Sequence, residues 1–231
     1  MKFQILTLFP ELFPGPLGAS VTNRALEKGV WSFTASNIRD FAVDNHKTVD
    51  DVPFGGGAGM VMKPDILERA VLALPEKGRR IYLSPRGRVL TQSLAQELAQ
   101  EPTLTLLCGR YEGVDQRALD SLGFEEISIG DYVLTGGELA AYILMDSVIR
   151  LLPGALGNDT TPDEESFSNG LLEYPHYTRP SSWTDLQGST HNIPDILLSG
   201  HHANIAAWRQ KQSEDLTKER RPDLWESYKK T

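Results

Sequence analysis

Cysteine is almost missing: Cys108 is the only one in 231 residues. That excludes an intrachain disulfide framework and a cysteine metal cluster. No apolar run reaches the roughly 18 residues that a membrane span requires, so no membrane partner is expected. The opening stretch, MKFQILTLFP, is too short and too soon broken by Pro10 for a signal peptide, and reads as a buried strand. With no export signal, a cytoplasmic location is expected. Internal repeats and low-complexity tracts are also lacking, which excludes solenoids and biased tails. Positive charge is scarce, with 23 Lys and Arg against 31 Asp and Glu and a net charge of −8. A broadly basic nucleic-acid surface is therefore excluded. The deficit is uneven, however. Residues 201–231 hold seven basic side chains (Arg209, Lys211, Lys218, Arg220, Arg221, Lys229, Lys230) against five acidic ones, which leaves 16 and 26 for residues 1–200. A local basic surface near the C-terminus survives this test.

What is present is an alternation of strand-like and helix-like segments over the first two thirds, the signature of a parallel α/β sheet. Strands are expected at Phe3–Leu8, Trp31–Asn37, Arg80–Leu83 and Leu104–Cys108. Thr22–Lys28 lies in a helix closed by Gly29, and Thr91 caps an amphipathic helix over the next eight residues. Gly137 to Leu152 is apolar on nearly every face apart from Glu138, Asp146 and Arg150, so it reads as a helix buried on most sides. After Pro153 the composition shifts to Gly, Asn, Asp, Thr and Pro, followed by Asp163-Glu164-Glu165. Such a stretch reads as a long mobile linker. Asn204–Lys218 has a helical pattern that Pro222 ends. The expected organisation is an α/β domain over residues 1–153, a linker over 154–175, and a small helical domain over 176–231.

In an open α/β sheet, ligands bind in the turns that follow the carboxyl ends of the strands. Three such turns carry unusual residues here: Leu83-Ser84-Pro85-Arg86-Gly87, Cys108 to Gly113, and Ser128 to Leu134. Pro85, Gly109 and Gly130 are spaced 24 and 21 residues apart, which favours one shared pocket. None of these turns matches the G-x-G-x-x-G or G-x-x-x-x-G-K-[ST] pattern. The ligand is therefore expected to be held by backbone groups and apolar contacts, and not through a pyrophosphate. A separate cluster, Pro53 to Met60, has four glycines in five positions (Gly55, Gly56, Gly57, Gly59). So many glycines are costly in folding entropy. Phe54 and Met60 at the edges favour a loop that closes over something flat and apolar.

These segments together closely resemble the bacterial tRNA (guanine-N1)-methyltransferase family, in the superfamily with a trefoil knot. The matching stretches are Leu8-Phe9-Pro10, Arg39-Asp40-Phe41, Thr48 to Asp51, Pro53 to Met60, Tyr82 to Pro85, Cys108 to Asp115, Ser128 to Glu138 and Pro175 to Pro180. Ser199 to His202, Trp208 to Gln212 and Arg220 to Pro222 match as well, so the resemblance runs from residue 8 to residue 222. It implies S-adenosylmethionine as methyl donor and transfer to N1 of the guanine immediately 3′ of the anticodon, position 37. It places the cofactor pocket at Tyr82, Leu83, Ser84, Pro85, Gly109, Glu112, Ile129, Gly130, Asp131, Tyr132, Val133 and Leu134, with Gly136 and Gly137 nearby. It also implies a knotted chain, which general topology rules would not suggest.

N1 of guanine is protonated near neutral pH, and its loss of a proton throws negative charge onto O6. The chemistry needs a general base at N1 and a positive or hydrogen-bonding group at O6. The family base is an aspartate just before a Ser-Phe pair. Here the pair is Ser166-Phe167 and the preceding residue is Glu165, so the carboxylate is kept on a stem one methylene longer. Glu165 is the expected base, with Asp163 or Glu164 as substitutes. A free glutamate titrates near about 4.3, so burial over bound tRNA would have to raise it. Arg150 matches the arginine assigned to the guanine. The helix dipole alone would also favour an arginine there.

The resemblance further implies tRNA as partner and a homodimer whose active site forms between subunits. Substrate contacts are expected at Gly55, Gly56, Gly57, Gly59, Glu173, His176, Arg209, Lys211 and Arg220; the C-terminal cations suit phosphates, which position RNA without reading sequence. Methyl transfer from a sulfonium needs no metal acid. Mg²⁺ is possible but has no signature in the sequence. Two rivals stand beside this expectation: a knotted methyltransferase for another RNA site, such as a ribose 2′-oxygen, and a non-catalytic RNA-binding protein. The Pro53–Met60 loop and the Glu165 linker argue against the first, since ribose methylation needs no base at guanine N1, and Arg150 with a linker carboxylate argues against the second.

Overall fold

Phe3, Ile5 and Leu6 have no exposed surface, and burial on alternating sides of one strand requires cover on both faces of its sheet. The computed structural model describes residues 1–156 and 165–230. Its strands in the first part of the chain are β1 (Lys2–Thr7), β2 (Ser32–Asn37), β3 (Asp50–Asp51), β4 (Val61–Met62), β5 (Arg79–Val89), β6 (Thr103–Leu107) and β7 (Glu125–Ser128). Five of them form one sheet in the order β2-β1-β6-β5-β7, and every pairing in it is parallel. This is the α/β architecture that the alternating pattern predicts.

The connecting helices are α1 (Ser20–Glu27), α2 (Pro64–Leu72), α3 (Gln92–Leu98), α4 (Gln116–Leu122) and α5 (Glu138–Ile149). They divide between two cores. Phe3, Ile5, Ile81, Leu83, Leu104 and Leu106 pack with Ala25 of α1, Leu94 of α3 and Leu144 of α5. Leu6, Tyr82 and Leu107 pack with Ile66 and Leu67 of α2 and Ala118 and Leu119 of α4. Neighbouring residues of one strand thus belong to opposite cores, as the two-residue period of a strand demands. The buried amide of Gln4 is satisfied within the sheet: it donates to Glu76 O at 2.9 Å and to Thr105 Oγ1 at 3.2 Å.

The sequence pattern did not bring out α2 and α4, although each has local signals. Pro64 opens α2 at a position where its missing N–H is harmless. Asp115 caps α4, accepting from Arg117 N at 2.9 Å, and Gly123 ends it with φ of 67°.

The third expected strand departs most from its observed form. Pairing with β7 runs through Leu83↔Ile127, breaks, and resumes at Arg88↔Ile127. The stretch Ser84-Pro85-Arg86-Gly87 is therefore an excursion inside an 11-residue strand, where a terminal turn after Leu83 is expected from the apolar run. Gly87 permits the return, because any Cβ there would collide with the Glu126–Ile127 backbone.

The chain divides into two compact units, Met1–Asp159 and Thr160–Thr231. The second contains a hairpin of β8 (Ser182–Thr184) and β9 (Thr190–Asn192), then α6 (His202–Arg220) and α7 (Pro222–Tyr228). The hairpin adds strand structure where only helix is expected. Asp185 closes its turn, its Oδ1 accepting from Gln187 N at 3.0 Å and Ser189 N at 2.9 Å. Pro222 follows α6 as expected, yet it is also the first residue of α7. Ser213 and Thr217 are the buried residues of α6. Thr217 Oγ1 donates to Ser213 O at 2.6 Å and accepts from Leu172 N at 2.8 Å, which moors the segment around Leu171 to the helix.

Candidate functional site

Because β6, β5 and β7 are parallel neighbours, their carboxyl ends lie along one edge of the sheet. The excursion in β5, the turn after β6 and the segment from β7 to α5 meet there around a cleft of about 250 Å³. Tyr82, Leu83, Ser84, Pro85, Gly109, Glu112, Ile129, Gly130, Tyr132, Val133, Leu134, Gly136 and Gly137 all line it. Asp131 does not. It is exposed, the central residue of a tight turn in which Tyr132 N donates to Gly130 O at 3.0 Å.

The walls are held by backbone and hydroxyl bonds. Gly137 N donates to Gly109 O at 2.9 Å, joining the start of α5 to the turn after β6. Ser128 Oγ accepts from Gly130 N at 3.2 Å, and Ser84 Oγ accepts from Arg86 N at 3.2 Å. Tyr82 is 6% exposed, and burial pushes its phenol above the ordinary value.

Behind the cleft lies a buried charged cluster that spacing arguments do not reveal. Glu138, at the first turn of α5, is 2% exposed. Its Oε2 lies 2.9 Å from Nη2 of the cleft-lining Arg110, and its Oε1 accepts from Thr7 Oγ1 at 2.7 Å. The Arg110 guanidinium also rests on the Phe9 ring, 4.5 Å from its centroid, and donates to Thr135 O at 3.3 Å. The available signal was one carboxylate in an otherwise apolar helix, which burial obliges to find a partner. Cys108 is fully buried beside this cluster, and burial first, with the Glu138 charge second, pushes its thiol well above the ordinary value. A raised folded value means that this thiol contributes stability below the unfolded thiol's pKa of about 8.5, and that the contribution fades as pH rises through and beyond it. We expect Ellman's reagent to detect no thiol in the native protein at pH 8 and one per chain after guanidinium unfolding. Prompt native reaction would contradict the burial.

The glycine-rich loop is bracketed by the β3–β4 ladder, Asp50↔Met62 and Asp51↔Val61. Gly55, Gly56, Gly57 and Gly59 all have positive φ, which explains the residue type. One end is bolted to the cleft wall, since Glu112 N donates to Met60 O and Met62 N to Gly113 O, both at 2.9 Å. At its other end Phe54 is 99% exposed. Arg39 reaches the same wall, its Nη2 donating to the hydroxyl of cleft-lining Tyr111 at 3.1 Å.

Arg150 caps α5, with its N–H donating to Asp146 O at 3.2 Å; it is half-buried and does not line the cleft. In the second unit, Glu165 and Glu173 line one cavity together. Ser166 links them, its Oγ accepting from Glu173 N at 3.0 Å. The Glu173 carboxylate lies 2.8 Å from His176 Nε2. Arg209 covers the Tyr174 ring at 4.7 Å. Lys211 and Arg220 are exposed on α6 and line neither cavity of this unit. Asp163 and Glu164 lie outside the described residues. Among the described residues no helix is long and apolar enough to cross a membrane.

Comparison with known proteins identifies the family. The family model described as tRNA (Guanine-1)-methyltransferase TrmD matches residues 1–227. The chain is 61% identical over 229 residues to a protein of Rhodospirillum rubrum named tRNA (guanine-N(1)-)-methyltransferase, covering 99% of this chain and 94% of that one. Proteins of the same name in Cereibacter sphaeroides and Bartonella henselae are 55% and 53% identical over 232 residues each. They cover 97% and 100% of this chain, and 91% and 98% of their own length. A match of this extent leaves no part of either unit unaccounted for, and the chain belongs to the tRNA (guanine-1)-methyltransferase family.

Proposed function

We propose that this chain transfers a methyl group from S-adenosylmethionine to N1 of the guanine at position 37 of tRNA, immediately 3′ of the anticodon, and works in the cytoplasm. The observation that carries this reading is the convergence of three strand-end segments on one cleft in a member of this family. The residues present suit the methyl donor. Leu83, Pro85, Ile129 and Leu134 offer apolar walls to a flat adenine, and the turns at Gly109 and Gly130 present backbone groups in place of a diphosphate loop. The Glu112 carboxylate lies on the same wall and suits a cationic ligand. Bound there, S-adenosylmethionine would supply a methyl group already activated by its sulfonium.

The chain's own task is then proton and charge management. Glu165 takes the N1 proton, and Arg150 meets the negative charge that develops on O6. Glu173, His176, Arg209, Lys211 and Arg220 hold the RNA, and the loop at Gly55, Gly56, Gly57 and Gly59 closes on the substrate. Glu165 and Arg150 belong to different units of one chain, and the reading has two subunits share the active site. Leu139 and Ile143, one turn apart on α5, are 54% and 44% exposed, an apolar strip suited to a homodimer interface. The superfamily's trefoil knot belongs to the same reading.

The test is methyl transfer from labelled S-adenosylmethionine to tRNA transcripts carrying G or A after the anticodon. Transfer to the G transcript alone, recovered as 1-methylguanine, is expected. Transfer indifferent to that base would sink the assignment.

A further inference from the structure

In the second unit, the segment from Glu165 to Glu173 folds back on itself through its own hydrogen bonds. Phe167 N donates to Leu171 O at 2.8 Å, Ser168 N to Glu165 O at 3.2 Å, and Ser166 Oγ accepts from Glu173 N at 3.0 Å. Within this turn stands Asn169-Gly170, the only place in the sequence where glycine follows asparagine. Both residues are exposed. Gly170 has φ of 75°, a left-handed backbone that other residue types resist, so the fold itself calls for glycine after Asn169. The Gly170 N–H donates to Phe167 O at 3.3 Å, beyond the usual range of about 2.7–3.2 Å. The Asn169 side chain has no hydrogen bond among the described residues. It nevertheless lines the cavity of about 430 Å³ that Glu165 and Glu173 share.

Asparagine is among the less durable side chains, and a following glycine puts no Cβ in the way of attack by the next peptide nitrogen. A weakly held N–H, a side chain free to rotate and open access for water complete the conditions for cyclisation. We propose that Asn169-Gly170 is a self-modifying site, where deamidation gives aspartate or isoaspartate and thereby lowers turnover through Glu165. Gly170 N gives up its proton and bonds to Asn169 Cγ, and the side-chain nitrogen leaves as ammonia, closing a succinimide ring. Water then opens the ring. Attack at Cγ breaks the new bond and leaves aspartate; attack at the main-chain carbonyl breaks the original peptide bond and leaves isoaspartate, whose main chain runs through Cβ. One water is consumed and one ammonia released, with no oxidant or reductant. Both products add a carboxylate to a cavity that already has two, where like charges oppose one another. Isoaspartate also lengthens the main chain by a methylene inside the turn that carries Glu165, and misplacement of that order is costly to turnover. This consequence rests on the reading of Glu165 as the base, whereas the chemistry at Asn169 does not.

The test ages the full chain at 37 °C at pH 7 and pH 9, with samples taken for peptide mapping by mass spectrometry and for methylation of the tRNA transcript. Deamidation is expected at Asn169 ahead of every other asparagine. It runs faster at pH 9, because the attacking nitrogen must lose its proton, and yields isoaspartate among the products. Turnover of the isoaspartyl form falls about 10²-fold, so activity declines in step with its accumulation. Asn169→Asp carries the charge without the extra methylene and loses only about 5-fold. Asn169→Gln, whose cyclisation needs a larger and slower ring, keeps its own starting activity over the same period. Repair by an isoaspartyl O-methyltransferase, which returns isoaspartate to aspartate, brings aged wild type to the level of Asn169→Asp. Modification of Asn169 no faster than that of the other asparagines would overturn the proposal, as would equal loss of activity in wild type and Asn169→Gln. A chain that deamidates at Asn169 with this preference, yet methylates no tRNA even when fresh, would uphold the labile site and overturn only the methyltransferase reading.

Discussion

Glu165→Gln is expected to lower kcat for tRNA methylation by about 10²- to 10⁴-fold, the usual contribution of a positioned general base. The amide keeps the shape of the side chain and its hydrogen-bonding reach but cannot accept the N1 proton, so the loss falls on turnover. The affinity for S-adenosylmethionine should stay within about twofold, because among the described residues those that line the cleft all come from the other unit. Glu173 is the nearest rival for the role, since it lines the same cavity. Its carboxylate, however, is already engaged within the chain, 2.8 Å from His176 Nε2. Glu173→Gln should therefore leave kcat largely intact and act through KM for tRNA. Single-turnover methylation together with equilibrium binding of the cofactor separates these effects. Full turnover in Glu165→Gln would place the base elsewhere.

The second large effect concerns stability. Arg110→Ala removes the cation facing a carboxylate that is 2% exposed, and leaves Thr7 as its remaining partner in the cluster. Breaking a buried pair from one side typically costs about 3–5 kcal/mol. The Arg110 side chain is itself 24% exposed, so a destabilisation near the lower end, about 3 kcal/mol, is expected. The double substitution Arg110→Met with Glu138→Leu should recover most of this, since apolar groups of similar volume need no partner. Amide hydrogen exchange of β1 and β6 is the suitable measure, because it reports opening of the first unit without interference from the second. Equal destabilisation by the single and double substitutions would show that the ion pair is not what holds these walls. Because Arg110 also lines the cleft, the single variant should weaken cofactor binding even under conditions where it remains folded.

Much of the architecture was legible because burial leaves a local signature. The runs at Phe3–Leu8 and Leu104–Cys108 marked central parallel strands, since a strand covered on both faces has no polar side to show. The apolar span from Gly137 to Leu152 marked α5 for the same reason. The turns at Gly109 and Gly130 were visible as glycine punctuation, and strand-end placement alone suggested that they share a ligand. The excursion inside β5 was not legible. Whether a chain ends its ladder at Leu83 or leaves and rejoins it at Arg88 is decided by the partner strand β7, about 40 residues away in sequence. The pairing of Arg110 with Glu138 was hidden likewise, because the attraction between them exists only once the cleft has closed around it.

By itself, then, the sequence determined the sites of β1, β2, β5 and β6 and of α1, α3, α5 and α6, which three turns cluster at one sheet edge, and which family the chain resembles. These follow from periodicity, glycine and proline geometry, and residue motifs, all properties of short stretches. Tertiary structure alone decided that the cleft has a buried charged pair behind it, and that the glycine loop is fastened to its wall through Met60 and Met62. It alone brought Arg209 to the cavity that Glu165 and Glu173 line. The physical reason is the same in each case. Electrostatic pairing, stacking and backbone approach depend on distances between residues far apart in the chain, and folding alone sets those distances.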